Sequence, residues 1–358
     1  MKKYTIERNA IATNEKVWVG IDAHKKTLHV SVINRDETLL QQSIPHEKAQ
    51  VVGLIRRLPD CEIEAVYEAG PTGYKLLYWL RELGCEAFMT PPSRVPARKG
   101  GKQIKTDARD SLELAELLRA DMLDEVHDLG EQAYGERELT RTRQQLVEKR
   151  SETCAQIKSK LTLHTIRPPE SMSTNWTKAF LRWLESGPAG DSHELNIALE
   201  LLVGTYRHLT DQIKVLDAEI EQLAQAEHHR EDVEILTSIP GVGILSAMIL
   251  LLELGDVSRF DRCEEFSSFL GLVPCEWSSG PSQYKGPLTR AGNRRARTVL
   301  VEASWRAKGY DCRLNDIYER IRARSSAGKA IVAVARRLGL AVRAMLRDRT
   351  TYDYQPCA

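Results

Sequence analysis

The sequence has no long apolar segment and therefore offers no candidate for a membrane-spanning helix. Its most apolar stretch, Ile244 to Leu254, is shorter than a bilayer requires and contains Glu253. The first residues, Met1 to Tyr4, lack the apolar core of a secretory signal peptide. These absences predict a cytoplasmic protein without a membrane partner.

Cysteine is scarce and scattered, and no internal repeat is found. The seven cysteines form no Cys-x-x-Cys pair, which argues against a zinc site. An odd number of cysteines without a secretory signal fits reduced thiols in a cytosol.

Net charge is also nearly absent, so only its distribution is informative. The chain has 51 basic and 50 acidic residues, but Lys285 to Arg349 holds 17 basic residues against 5 acids. So one-sided an excess favours a nucleic-acid surface over an ordinary solvated helical face. A second basic run has no acid among its members, which are Arg94, Arg98, Lys99, Lys102 and Lys105. This run fits a phosphate-gripping loop and a solvated linker equally well.

Four acids in the first third of the chain have the order and setting of a two-metal phosphoryl-transfer site. Asp22 and Glu68 each end a short run rich in valine, isoleucine and aromatics, which is typical of a buried strand. Asp107 and Asp110 are three apart, so on a helix they point to the same side. Two Mg²⁺ ions need such hard oxygen ligands on rigid elements. Any one of these acids taken alone would be read as an ordinary surface carboxylate.

The periodicity predicts three regions of different architecture. Residues 17–120 alternate strand-like and helix-like patterns, which favours a mixed α/β sheet domain that begins with a three-stranded meander. Residues 131–165 and 191–228 are predicted to form two long helices, as a helical hairpin or coiled coil. The predicted divisions are an extension at 1–16, an α/β domain at 17–125, a helical spacer at 126–230, a mainly α C-terminal domain at 231–350 and a tail at 351–358.

Two motifs of the last region suit phosphate chemistry. Pro240 to Gly243 lies between helical patterns as in a helix-hairpin-helix, where Gly241 and Gly243 would let backbone N–H groups approach a phosphate. The alternative interpretation is purely structural, because a tight turn between two core helices needs similar residues. Further on, a loop rich in Gly, Ser and Pro is predicted around Ser279, which is either a turn residue or a nucleophile. Nearby cations could stabilise a pentacovalent phosphate, and they are Lys285, Arg290, Arg294, Arg295 and Arg297.

Together these motifs resemble the DEDD transposases of bacterial insertion sequences. The N-terminal part of the resemblance rests on Gly20-Ile21-Asp22, on Glu68-Ala69 with Gly73-Tyr74, and on Thr106-Asp107-x-x-Asp110. The C-terminal part rests on Ser238 to Gly243, Phe260, Phe266, Gly271-Leu272, Pro274, Ser279-Gly280 and Ala291-Gly292. The resemblance extends from about Val17 to Leu346, and the combination of motifs is specific although each piece alone is not.

The resemblance implies more than the residues show. It implies a RuvC-like (RNase H-like) N-terminal domain with Asp22, Glu68, Asp107 and Asp110 as Mg²⁺ ligands, and a C-terminal domain with Ser279 as nucleophile. It also implies target and donor DNA as substrates, a bridge-type RNA as guide, and a dimer or tetramer associated with the bacterial nucleoid. The extension before the first strand and Pro281 after Ser279-Gly280 depart from the family pattern without removing a candidate catalytic group.

Two other functions remain open at this point. A Holliday-junction-type nuclease would use the four acids with water, and Ser279 would then be only structural. A non-catalytic nucleic-acid-binding protein would use the acids only for folding.

Overall fold

The computed structural model describes residues 15–58, 61–96, 106–279, 282–289 and 291–356. The chain divides into two compact units, one up to Asp128 and one from Leu129 onward. Residues of the predicted spacer therefore share a unit with the C-terminal region, and the finer domain boundaries stay a prediction.

The first unit is a mixed α/β sheet with helices, as the sequence predicts. Its elements are β1 (Lys16–Ala23), β2 (Thr27–Ile33), β3 (Thr38–Pro45), α1 (Lys48–Ile55), β4 (Glu62–Glu68), α2 (Lys75–Glu82), β5 (Glu86–Thr90) and α3 (Asp107–Arg119). The sheet has the order β3-β2-β1-β4-β5. β1, β2 and β3 pair in antiparallel fashion, which confirms the predicted meander, whereas β4 and β5 continue the sheet in parallel with β1.

Alternating side chains give the sheet two buried faces. Val17, Val19 and Ile21 of β1 lie on one face, where they join a core that includes residues of α1 and α2. The residues between them point to the other face, where Leu114 and Leu118 of α3 pack against Val66 of β4. The result is a three-layer α/β/α arrangement with α3 alone on its face among the described helices.

The second unit is mainly helical. Its helices are α4 (Glu131–Leu163), α5 (Lys178–Glu185), α6 (His193–Leu223), α7 (Glu227–Thr237), α8 (Ile244–Leu254), α9 (Cys263–Phe269), α10 (Arg294–Ala307), α11 (Cys312–Arg324) and α12 (Ala327–Asp348). The largest core of this unit includes buried residues of α7, α8, α10 and α12, among them Leu236, Met248, Leu300 and Leu338.

The long helices α4 and α6 form a helical hairpin. Near its tip, Ile157 and Leu161 at the end of α4 pack in one cluster with Leu199 and Val203 at the start of α6. The connection contains α5, which the sequence pattern did not predict. The prediction of one helix over 191–228 was wrong at its end, because α6 stops at Leu223 and α7 starts at Glu227.

The loop predicted around Ser279 is instead largely a β-hairpin. Strands β6 (Pro274–Ser279) and β7 (Ser282–Leu288) pair in antiparallel register, with Ser279 opposite Ser282. Serine, glycine and proline have low strand propensity, but backbone pairing across a short connection outweighs that local preference. The hairpin therefore follows from pairing rather than from composition.

Within the ranges that the structure describes, no helix is both long and apolar enough to cross a bilayer.

Candidate functional site

Asp22 and Glu68 lie at the same edge of the sheet. Ile21 of β1 is in register with Tyr67 of the parallel strand β4, so the residues that follow them emerge side by side. Tyr67 is fully buried and Ile21 almost so, which holds both strand ends in place. Neighbouring parallel strands thus position the two carboxylates at their carboxyl ends.

The first turn of α3 supplies two further acids. Thr106 has an extended backbone immediately before the helix, and Asp107 and Asp110 follow in the first turn. Carboxylates are favourable there because the unpaired N–H groups of a helix start carry partial positive charge. Their spacing of three residues turns both toward the same side.

The contact of α3 with β1 is unusually close. A Cβ atom added at Gly20 would lie 2.1 Å from the carbonyl oxygen of Ser111 and 2.4 Å from the backbone nitrogen of Ala115. Only glycine therefore allows this separation, which sets how near the acids of α3 come to Asp22.

Polar contacts, one of them buried, fix the position of α3 on the sheet. The hydroxyls of Ser31 and Ser111 are 2.8 Å apart, and Gln41 donates to the carbonyl oxygen of Ala108 at 2.5 Å. Gln41 also donates to the Ser31 hydroxyl at 3.1 Å. The start of α3 is thus tied to β2 and β3 by side chains.

These elements enclose one cavity of about 350 Å³. Its lining residues are Asp22, His24, Glu68, Val95, Asp107, Asp110, Glu113 and Leu114. The structure therefore brings together all four acids that the sequence singles out. Sequence reasoning missed Glu113, although its place three residues after Asp110 on the same helix was a usable signal.

Two histidines that sequence reasoning also missed contact the acids. The Nε2 atom of His24 is 3.2 Å from Asp22 Oδ2 and 3.6 Å from Asp107 Oδ2. The Nε2 atom of His29 is 3.0 Å from Asp107 Oδ2. His29 stands opposite Asp22 in the β1–β2 register. Aligning the two predicted strands of the meander in this register would have pointed to His29. Asp22, His24 and Asp107 form a group whose ligand atoms are close enough to hold a metal ion.

The electrostatics of the cavity disfavour ionised Asp22. Burial raises the pKa of Asp22 above its usual range, and the charges of Asp107 and Asp110 raise it further, against an opposing contribution from His24. Burial and like charge both act against the carboxylate form. A bound cation would relieve both, which is the setting expected of a divalent metal site.

The motifs of the second unit fall on the hairpin and on helix starts. Ser279 is the last residue of β6, and Lys285 lies in β7. Gly241 has φ +95° in the turn between α7 and α8, where an added Cβ would lie 2.4 Å from the Cβ of Arg306. Close packing against α10 is thus a sufficient reason for glycine at 241. Gly243 is exposed, caps the start of α8, and has open space where a Cβ would be.

Several of the basic residues already have partners. Arg94 is exposed and pairs with Asp124 at 3.0 Å, while Arg297 lies 3.4 Å from three backbone carbonyl oxygens. Arg295 stands 4.0 Å from Glu253, and Arg294 is exposed at the start of α10. The remaining predicted cations lie outside the described residues, and they are Arg98, Lys99, Lys102, Lys105 and Arg290.

The helix that follows the hairpin is anchored by a buried carboxylate. Glu253 of α8 accepts two hydrogen bonds from Arg141 of α4, at 2.9 and 3.1 Å, and one from Asn293 at 2.8 Å. Asn293 also caps α10 by accepting from the backbone N–H of Ala296. Although burial by itself raises the pKa of Glu253, these hydrogen bonds and the charge of Arg141 lower it overall. This residue, which interrupts the apolar run, thus joins α4, α8 and α10.

An acid-lined cavity at the edge of an α/β sheet defines a candidate metal-dependent site for phosphodiester chemistry. Comparison with known proteins identifies the enzyme class. Residues 19–166 match the DEDD transposase model of the IS110 family, and residues 233–319 match the model described as the IS116/IS110/IS902 transposase family.

Individual relatives match over most of the chain. A Sinorhizobium fredii protein that is named as a transposase, y4qE, is 31% identical over 304 residues, covering 83% of this chain and 73% of its own length. The transposase for insertion sequence element IS1533 of Leptospira borgpetersenii is 29% identical over 303 residues, covering 81% and 85%. The chain belongs to the IS110 family of transposases, which are enzymes that cleave and join DNA.

Proposed function

We propose that this transposase catalyses Mg²⁺-dependent strand cleavage and exchange on target and donor DNA through a serine–phosphate intermediate. The observation that carries the proposal is the meeting of Asp22, Glu68, Asp107 and Asp110 around one cavity. A folding role alone does not account for Asp22, whose ionised form is opposed by burial and by the charges of Asp107 and Asp110. In this proposal the sheet of the first unit is an RNase H-like fold.

The side chains at the cavity fit divalent metal. Their carboxylate oxygens are the hard ligands that Mg²⁺ prefers, and we assign two ions to Asp22, Glu68, Asp107 and Asp110. When bound, the ions would neutralise the phosphate and the leaving oxygen. His29 of β2 contacts Asp107 of α3, and in this proposal it fixes the orientation of the Asp107 carboxylate.

We assign the nucleophile to Ser279. Its Oγ would form a bond to the phosphorus of a DNA phosphodiester while the bond from phosphorus to one deoxyribose oxygen breaks. The hydroxyl proton passes to a base and the leaving oxygen gains a proton. Attack by a hydroxyl of the partner strand then reverses these changes, so the bond energy is conserved. The supporting observation is the position of Ser279, at the end of β6 and shortly before the basic helix α10.

The nucleophile and the acids belong to different compact units of the chain. We propose that the complete site forms between subunits of a dimer or tetramer, or only when nucleic acid binds. A bridge-type RNA would pair with target and donor DNA, and the nucleoid would be the place of action. The basic residues of the second unit and the exposed N-terminus of α8 at Gly243 would contact phosphates.

The decisive experiment mixes two inactive variants of the full chain. Ser279→Ala subunits and Asp22→Ala subunits should each fail in strand exchange, and the mixture should recover activity if the site is shared. Ser278→Ala and Ser282→Ala serve as matched controls and should retain most activity. A covalent protein–DNA adduct on denaturing gels should appear with the wild type and vanish with Ser279→Ala.

The adduct gels and the strand-exchange assay together separate the proposal from its rivals. Cleavage without an adduct, together with full activity of Ser279→Ala, would show a nuclease that uses water. Unchanged strand exchange in Asp22→Ala would show that the acids serve only the fold.

A further inference from the structure

Outside the acidic cavity, two histidines and a glutamate converge in the second unit. The Oε1 atom of Glu136 is 3.0 Å from Nε2 of His228, and its Oε2 atom is 2.8 Å from Nε2 of His229. All three offer one ligand atom, and these atoms lie within 4.8 Å of one another. Glu136 and His229 are mostly buried, since each exposes 13% of its side chain, while His228 is about half exposed.

The three residues come from helices that are distant in sequence. Glu136 lies in the second turn of α4, and the histidines are the second and third residues of α7. Between Glu136 and the two histidines, the chain runs out along α4 and comes back along α6. The cluster therefore sits at the base of the hairpin, where α4 begins and α7 follows α6.

Hydrogen bonds satisfy this cluster only while the Nε2 atoms of both histidines carry a proton. Gln132 donates to Glu136 Oε1 at 2.7 Å, and the same nitrogen is 3.3 Å from Nε2 of His228. A carboxylate oxygen has two lone pairs, so Oε1 can accept from both Gln132 and a protonated His228 Nε2. An Nε2 atom without a proton would instead direct its lone pair at the carboxylate.

A cation between the three ligand atoms would take the place of those two protons. Neutral Nε2 atoms and a carboxylate oxygen would all direct lone pairs at it, while Gln132 would still donate to Glu136 and hold its orientation. A tetrahedral site with bonds of about 2.0–2.1 Å separates its ligand atoms by roughly 3.3 Å. The separations of 3.0 Å from His228 to Oε1 and of 2.8 Å from His229 to Oε2 are a few tenths of an ångström shorter than this. One ligand atom from each residue already lies within 4.8 Å of the other two, so side-chain rotation can bring them to one ion.

We propose that Glu136, His228 and His229 form a binding site for a divalent transition metal of the zinc type, which clamps α4 to α7. Two imidazoles with one carboxylate suit zinc rather than magnesium, because magnesium prefers oxygen ligands throughout. The metal would join the base of the helical hairpin to the core of the second unit. This site is independent of the assignment of the catalytic acids, and it differs from the sequence expectation, which considered only cysteine ligands.

The test measures zinc binding by the purified, metal-free full chain, with Mg²⁺ in excess to occupy the acidic cavity. The wild type should bind one more equivalent of Zn²⁺ in equilibrium dialysis than His228→Gln or His229→Gln. Each variant should weaken binding by at least about tenfold. His208→Gln, at an exposed position on α6, is the matched control and should bind like the wild type.

Two further measurements make the result independent of folding defects. Co²⁺ in place of zinc should give the visible absorption of a tetrahedral site in the wild type and lose it in both variants. Zinc at a hundredfold excess over the wild-type dissociation constant should raise the unfolding midpoint of the wild type by about 5 °C and that of each variant by about half as much or less. His228 is half exposed, so His228→Gln should fold normally by circular dichroism. Equal zinc stoichiometry and equal midpoint shifts in wild type and both variants would overturn the site.

Discussion

Asp22 shows at the scale of one residue how the site and the stability of the fold oppose each other. Its pKa is raised by burial and by the neighbouring acids, so the folded state holds its proton more tightly than the unfolded state does. Its contribution to stability is therefore favourable at low pH and is lost as pH rises from the unfolded pKa through the raised folded one. At neutral pH without metal, the ionised side chain destabilises the fold.

We predict that Asp22→Asn raises the unfolding midpoint of the metal-free protein at pH 7 by a few degrees while abolishing strand exchange. The amide has a similar shape but carries no charge to desolvate or to repel Asp107 and Asp110. Calorimetry with and without Mg²⁺ checks this, since Mg²⁺ should stabilise the wild type more than the variant. Asp36→Asn, at an exposed turn position, is the control and should change neither quantity. A metal-free variant less stable than the wild type would contradict the electrostatic account.

The packing of α3 on β1 decides the geometry of the cavity at the scale of elements. Gly20 lets the backbone of α3 approach β1, and Ser31 and Gln41 tie the helix start to its neighbours. The acids of α3 reach Asp22 only because of this separation. The site thus depends on a residue that has no side chain.

Gly20→Ala should separate α3 from the sheet, because the added methyl would lie 2.1 Å from a backbone oxygen that cannot rotate away. We expect a loss of about 1–3 kcal/mol in the free energy of unfolding and a severe loss of strand exchange. Denaturant titration and a recombination assay measure the two effects.

The matched control is Gly53→Ala on α1, where nothing lies within 4 Å of the added Cβ. This change should stabilise α1 by roughly 0.5–1 kcal/mol and leave activity unchanged. If both alanine variants behaved alike, close packing at Gly20 would not be the reason for glycine there.

At the scale of the whole molecule, a nearly neutral chain has a strongly uneven charge distribution. The net charge is +1, yet Lys285 to Arg349 holds 17 basic residues against 5 acids. Some of them are used inside the fold, as when Arg343 donates to the carbonyl oxygens of Phe260 and Asp261. Others, such as Arg320 and Arg324 on α11, are exposed. The exposed cations are the ones that can release counterions from nucleic acid.

Affinity for nucleic acid should therefore fall steeply between about 50 and 200 mM salt. Arg320→Ala combined with Arg324→Ala should weaken binding and lower the logarithmic salt slope by about 1 for each phosphate that the variant no longer neutralises. Fluorescence anisotropy over a salt series measures the slope. Arg207→Ala on α6, where the arginine pairs with Glu185, should leave the slope unchanged. A flat salt dependence of the wild type would refute the polyanion surface.

Features that depend on near neighbours along the chain could be predicted from the sequence. The run from Val17 to Asp22, rich in valine, isoleucine and tryptophan, predicted β1, and the strand predicted to end at Glu68 is confirmed. The spacing of Asp107 and Asp110 placed both on one side of a helix, because helix and strand periods are local properties.

Features that depend on strand register and on packing between distant segments are visible only in the folded chain. His29 contacts Asp107 because β2 returns beside β1 in one particular register, and the hairpin at Ser279 forms by pairing against its local propensities. Glu136 meets His228 and His229 only because the helical hairpin returns to its own base. No local period encodes such contacts, since they arise from how whole elements pack.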